Sequence, residues 1–157
     1  MSDRFAKFIR TAKLTTYAAQ GDAASVPPLL SGTKQLEFAD GEFLYRDIYT
    51  GMQYFVGQEI VYRYAHPIWS MAYHGGLITE PSHSSAAAIY AFLRSALRQC
   101  PPDIPLRGPA SFSLDDFTYT CEVHGTISRF TGLELITMQG SGVYELHFGG
   151  GTLAATA

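Results

Sequence analysis

Apolar residues recur at two different spacings along the chain, and each spacing predicts a different kind of element. Over residues 3–18 they fall three and four positions apart, which predicts an amphipathic helix. The same spacing returns over about residues 84–99 and predicts a second helix. Pro101 and Pro102 end this helix because proline cannot continue the helical hydrogen-bond ladder.

Two other blocks, residues 36–74 and about 110–148, are rich in aromatic and β-branched residues. Short breaks that contain glycine, aspartate or proline divide each block into runs of strand length. Short connections favour antiparallel pairing of consecutive strands. Each block therefore predicts an antiparallel meander of three or four strands.

One motif occurs twice, as FVGQEIV at 55–61 and as FTGLELI at 130–136. With one inserted residue the two blocks align, so that Tyr45 falls on Tyr119 and Glu59 on Glu134. This alignment predicts an internal duplication. The expected fold is α+β: a helix plus meander, repeated over about 3–78 and 82–151 with pseudo-two-fold symmetry, within a single domain of residues 1–157.

The repeated Gly-x-Glu has two interpretations. A glycine within a strand marks a bulge or a close backbone approach, and a glutamate two positions later lies on the same face. The glutamate could accept backbone N–H groups that the bulge frees, or it could project into a cavity. Because the motif is kept in both copies, the structural interpretation, a bulge with its own acceptor, is preferred.

The composition is that of a folded soluble chain, and it excludes several classes of function. The net charge is −3, and no run of lysine or arginine is present, so direct nucleic-acid binding is not expected. No segment is apolar for the roughly 20 residues that a membrane span needs. The N-terminus lacks the apolar core of a signal peptide. A cytoplasmic location is expected, with Cys100 and Cys121 both reduced.

Neither a metal nor a cofactor is expected. The five histidines and two cysteines match no metal-ligand spacing. A phosphate-binding loop, a dinucleotide-binding glycine motif and a Gly-x-Ser-x-Gly motif are all absent from the sequence. No catalytic residue is assigned.

An anionic pocket with aromatic walls is the strongest candidate site. Strand alternation places Tyr45, Asp47 and Tyr49 on one face. Aromatic rings and a carboxylate together suit a small organic cation. Cys121 and Val123 stand where the first block has Asp47 and Tyr49, so this polarity is not repeated. The predicted ligand-binding residues are Tyr45, Asp47, Tyr49, Glu59, Trp69 and Tyr73. The alternative is a core face together with a surface salt bridge from Asp47 to an arginine.

Several strings occur in a recognisable order: FIRTAKLTTYA, YRDIYTGMQYFVGQE, PIWSMAYHGG, PLRGP, FTGLELI and YELHFGG. As a set they resemble a bacterial family named as a domain of unknown function, family 5680, over about residues 8–150. The resemblance implies that some relatives carry the domain behind an Xre-type helix-turn-helix, and hence a sensing or regulatory role. This chain is expected to lack such a DNA-binding unit. The resemblance implies no catalytic residues.

Three hypotheses follow. The first is a regulatory or sensor-type module that binds a small molecule or a partner. The second is a small enzyme in which Asp47 or Glu59 is the general base and a tyrosine the acid, which requires a carboxylate buried enough to shift its pKa. The third is a structural module, for instance a homodimer paired through its sheet edges.

Overall fold

The computed structural model describes residues 3–21, 25–78 and 83–153. Three helices are present in this part of the chain. They are α1 (Asp3–Thr15), the short α2 (Tyr17–Gln20) and α3 (His83–Leu97). Helices α1 and α3 follow the apolar spacing of the sequence, although α1 ends before residue 18. None of these helices is long and apolar enough to cross a membrane.

Within the described ranges, nine strands form one antiparallel sheet, in the order β1-β2-β3-β4-β5-β9-β8-β7-β6. The strands are β1 (Ser25–Val26), β2 (Lys34–Asp40), β3 (Phe43–Gly51), β4 (Tyr54–Arg63), β5 (His66–Leu77), β6 (Ser111–Leu114), β7 (Phe117–Thr126), β8 (Arg129–Met138) and β9 (Ser141–Thr152).

The predicted α+β fold, with a helix and meander repeated about a pseudo-two-fold axis, was wrong. The protein is mostly β, and its strands belong to a single sheet rather than to two helix-plus-meander units. The reason is the pairing of β5 with β9 along nine residue pairs, from Trp69↔Thr152 to Leu77↔Tyr144. This pairing joins residues far apart in sequence, so the local pattern of turns and strands does not reveal it.

The core lies between one face of this sheet and the helices. The ring centroids of Phe5 and Phe8 of α1 lie 5.9 and 5.1 Å from that of Phe43 of β3. At the other end of the sheet, Phe92 of α3 packs 5.0 Å from Phe117 of β7. Burial of these aromatic side chains supplies much of the hydrophobic stabilisation, at about 25 cal/mol per Å² of apolar surface. Helix packing thus covers one sheet face and encloses the space beneath it.

Candidate functional site

A cavity of about 170 Å³ lies between the covered face of the sheet and the helices. Strands β2, β3, β4 and β5 contribute to its lining, and so do helices α1, α2 and α3 and the segment that joins α3 to β6. Its lining combines aromatic rings with charged groups: Lys13, Thr16, Tyr17, Ala18, Lys34, Tyr45, Asp47, Tyr49, Gly51, Met52, Phe55, Glu59, Tyr73, Tyr90, Leu93, Arg94, Leu97, Cys100, Leu106 and Arg107.

Five of the six residues predicted to bind a ligand line this cavity: Tyr45, Asp47, Tyr49, Glu59 and Tyr73. The alternation of β3 buries its odd-numbered positions from Phe43 to Tyr49, and Asp47 is directly opposite Glu59 of β4. Strand geometry therefore places the two carboxylates side by side on the covered face. Both are largely withdrawn from solvent, at 7% and 2% exposure.

Trp69, the sixth predicted residue, does not line the cavity. Its ring is fully buried and stacks on Phe130, with centroids 5.7 Å apart. Its indole Nε1 donates a hydrogen bond to the backbone carbonyl of Ile127 at 2.8 Å. Trp69 shares a strand face with Tyr73, but four residues of extended chain separate them by about 13 Å. Trp69 thus belongs to the core beneath α1.

Glu59 has a fixed cationic partner. Lys13 of α1 donates to both carboxylate oxygens, with Nζ at 2.6 Å from Oε1 and 2.5 Å from Oε2. Lys13 follows Ile9 by four positions, so it lies at the edge of the apolar stripe of α1, and its ammonium group points into the cavity. Because a buried carboxylate is costly without a counter-ion, this pair ties α1 to the sheet.

Asp47 is held by a tyrosine that reaches it across a glycine. Tyr73 of β5 is paired with Gly57 of β4, and its hydroxyl donates to Asp47 Oδ1 on β3 at 2.6 Å. A Cβ on Gly57 would lie 2.3 Å from that hydroxyl oxygen. The glycine is therefore required by the close approach of the ring. The predicted bulge at the Gly-x-Glu motif was wrong, since the register of β4 shifts later, between Val61 and Tyr62.

Burial raises the pKa of Asp47 to about 7, and the negative charge of Glu59 acts in the same direction. The Tyr73 hydroxyl, Lys13 and Arg107 oppose this rise. Burial also raises the pKa of Tyr45 and of Tyr73 well above 10, with the neighbouring carboxylates adding to the effect. At neutral pH both tyrosines are therefore neutral, and Asp47 is a much weaker acid than an exposed aspartate.

In the second occurrence of the motif, the hydrogen-bond acceptor capacity of the glutamate is fully used. Glu134 accepts two hydrogen bonds from Arg107, at 2.9 and 2.7 Å. It accepts two more from the hydroxyls of Tyr119 and Tyr144, at 2.6 and 3.0 Å. Gly132 lies beneath the ring of Phe148, whose Cζ is 2.1 Å from the position of an added Cβ. This glutamate is a structural anchor for Arg107, which forms part of the cavity wall.

Aromatic rings form the apolar part of the wall. Phe55 is central, with ring centroids 6.5 Å from Tyr49, 6.0 Å from Tyr73 and 6.5 Å from Tyr90 of α3. The Tyr90 hydroxyl donates one bifurcated hydrogen bond, shared between the backbone carbonyls of Met52 and Gln53 in the turn between β3 and β4. Tyr90 thus joins α3 to the turn beside the cavity.

Residues 47–153 match the family described as a domain of unknown function (DUF5680). The chain belongs to this family. No curated protein and no solved structure matches it. The DUF5680 match extends over Asp47, Glu59, Tyr73 and Arg107, whereas Lys13 and α1 precede it. The cavity is therefore assembled from the matched region together with the segment that precedes it.

The sequence did not single out most of the cavity lining, and four of the residues it missed carry the polar and aromatic contacts described above: Lys13, Phe55, Tyr90 and Arg107. Lys13 and Arg107 approach their glutamates from 46 and 27 positions away in sequence, a distance that no local pattern spans. The sequence did contain a signal for these two basic residues, because two buried glutamates require two basic partners. Across the described ranges, no group of three or more histidine, cysteine, aspartate or glutamate side chains could hold a metal ion.

Proposed function

We propose that the protein is a small-molecule-binding module whose ligand occupies the cavity between the helices and strands β3–β5. One observation carries the proposal: Asp47, Glu59 and their hydrogen-bonding partners converge on an aromatic-walled space that lies against the hydrophobic core. Ligand sites in proteins combine such an apolar wall with a few fixed polar groups.

The size of the cavity bounds the size of the ligand. An engineered protein cavity of roughly 150 Å³ accommodates benzene, and the space here is about 170 Å³. A ligand of about six to ten heavy atoms therefore fits without displacement of the helices.

A regulatory role is proposed on the resemblance to family 5680. Some relatives are expected to carry this domain behind an Xre-type helix-turn-helix, an arrangement in which ligand binding would control DNA binding. We propose a bacterial origin and a sensor-type role for this chain on the same basis, together with a cytoplasmic location. Occupancy of the cavity would then be the signal, passed on through α1 by way of Lys13 and Glu59.

A larger side chain that fills part of the cavity tests whether the ligand binds there. Ala18 of α2 is buried and lines the cavity, whereas its neighbour Ala19 is exposed. We expect Ala18→Phe to abolish binding of benzylamine, benzyl alcohol and benzoate, measured by ligand-detected NMR, while Ala19→Phe binds as the wild type does. Equal binding by both variants, or no binding of any probe by the wild type, would contradict the proposal.

A second candidate function is proton-transfer catalysis with Asp47 as the general base. The observation in its favour is the pKa of Asp47, about 7, since an effective base titrates near the operating pH. Burial raises the pKa of Tyr45 and Tyr73, which makes them poor general acids, and Lys13 occupies both oxygens of Glu59. This candidate predicts turnover that rises with pH through about 7 and is lost in Asp47→Asn.

A further inference from the structure

The buried charges around the cavity do not balance. Of the carboxylates that the structure describes, three are buried here, those of Asp47, Glu59 and Glu134. Lys13 forms an ion pair with Glu59, and Arg107 forms one with Glu134. Among the described lysines and arginines, none forms an ion pair with Asp47. One buried negative charge is thus left without a counter-ion, a costly arrangement in a low-dielectric site.

The three carboxylates also differ in the number of hydrogen bonds that they accept. Glu134 accepts four hydrogen bonds, and Glu59 receives Lys13 on both oxygens. Asp47 accepts one hydrogen bond from the described side chains, that of Tyr73 to Oδ1. A carboxylate can accept about four, so Asp47 has unused acceptor capacity on the cavity side.

We propose that the ligand is a small organic cation, whose ammonium group binds the Asp47 carboxylate against the rings of Tyr49, Phe55 and Tyr73. This assignment of a ligand class rests on the proposed binding function. Aromatic ring faces attract cations within about 6 Å of the ring centroid. The ring of Tyr49 already has the Lys34 ammonium 5.8 Å from its centroid.

Binding exchanges a proton for the cation. A protonated Asp47 carboxyl releases its proton as the ammonium group binds, so the site remains neutral overall. The charged and titratable groups that face Asp47 come from several elements: Tyr45, Glu59, Tyr73, Lys13 of α1, and Arg107 between α3 and β6. Lys34 and Arg94 line the cavity farther out and are half-buried. Lys13 and Arg107 are already engaged by glutamates, which leaves Asp47 as the group that the cation neutralises.

The test uses three probes of nearly the same shape and different charge: benzylamine, benzyl alcohol and benzoate. Affinities are measured by isothermal titration calorimetry at about pH 8 for the wild type, Asp47→Asn and Asp103→Asn. Asp103 is exposed, so the control removes an equal charge from the surface. We expect the wild type and Asp103→Asn to bind benzylamine at least about tenfold tighter than the other probes. A tenfold difference in affinity is the size of effect expected from one charge pair that is withdrawn from water. Asp47→Asn should lose this preference.

A second readout does not depend on any variant. For the wild type, benzylamine affinity should rise about tenfold between about pH 6 and pH 8, as the proton on Asp47 ceases to compete, whereas benzyl alcohol affinity stays constant. Tighter binding of benzoate or benzyl alcohol to the cavity overturns the cation assignment and leaves the binding function intact. If neither pH nor Asp47→Asn alters the benzylamine affinity, the cation assignment is likewise overturned and the binding function is left intact. No binding of any probe overturns both.

Discussion

The Tyr73 hydroxyl donates its hydrogen bond to Asp47 across an intervening strand. Tyr73 lies on β5 and Asp47 on β3, and the ring passes over Gly57 of β4, which separates them. This relationship explains why a glycine is needed two positions before Glu59. A side chain at position 57 would occupy the space through which the tyrosine reaches its partner.

Gly57→Ala should destabilise the fold and displace Tyr73. The added Cβ would lie 2.7 Å from Tyr49 Cβ as well as 2.3 Å from the Tyr73 hydroxyl oxygen, so the tyrosine ring has to move. Overpacking of this kind costs about 1–3 kcal/mol. Urea denaturation should show a loss in that range. Gly142→Ala is the matched control, because its nearest neighbour would be an ordinary contact at 3.6 Å. Equal stability of the two variants would contradict this role for Gly57.

The stability difference between wild type and Asp47→Asn should depend on pH. The pKa of Asp47 is about 7 in the folded protein, against an ordinary value of 3.8. Between these values the folded state holds a proton that the unfolded state releases, so the contribution of Asp47 to stability falls as pH rises. Asp47→Asn should therefore gain stability relative to wild type from about pH 4 to pH 8, in thermal melts. Asp103→Asn should show no such trend. A constant difference for Asp47→Asn would mean that the carboxyl titrates normally.

Arg107→Met should be among the most damaging single changes. It leaves Glu134, whose side chain is completely buried, without its bidentate counter-ion. Removal of one partner of a buried ion pair costs about 3–5 kcal/mol. The control is Arg63→Met, which removes a much more exposed arginine from Glu42 and should cost far less. Comparable denaturation midpoints for the two variants would contradict the anchoring role of Glu134.

Tyr90→Phe should loosen the turn beside the cavity while the core stays intact. The hydroxyl is the link from α3 to the carbonyls of Met52 and Gln53, at 2.9 and 3.1 Å. Without it, local opening of this turn costs less free energy. Hydrogen exchange followed by mass spectrometry should show faster exchange in peptides that span residues 51–54. Exchange in the buried β5–β9 pairing is the internal reference. Uniform acceleration would indicate global destabilisation instead.

Strand alternation and helix spacing made much of the local structure predictable. The period of two placed Tyr45, Asp47 and Tyr49 on one buried face, and the structure has them there. The period of 3.6 located α1 and α3 to within a few residues. These predictions succeeded because they depend on neighbours close in sequence.

The global arrangement was not predictable in the same way. The single sheet depends on contacts between β5 and β9, and the neutralisation of Glu59 depends on a lysine 46 positions away. Trp69 was assigned to the site because it shares a face with Tyr73, but alternation fixes the face and not the distance along the strand. The side chain sits instead against Phe130 in the core.

If a cation neutralises Asp47 inside the cavity, the ionisation of this carboxyl group must change when the cation binds, and NMR can follow that change directly. Carboxyl ¹³C NMR of Asp47, titrated with and without saturating benzylamine, reports its pKa in both states. We expect a pKa near 7 in the free protein and a pKa lower by at least about one unit in the complex, since an adjacent positive charge favours the ionised form. An Asp47 pKa that benzylamine leaves unchanged would contradict the claim.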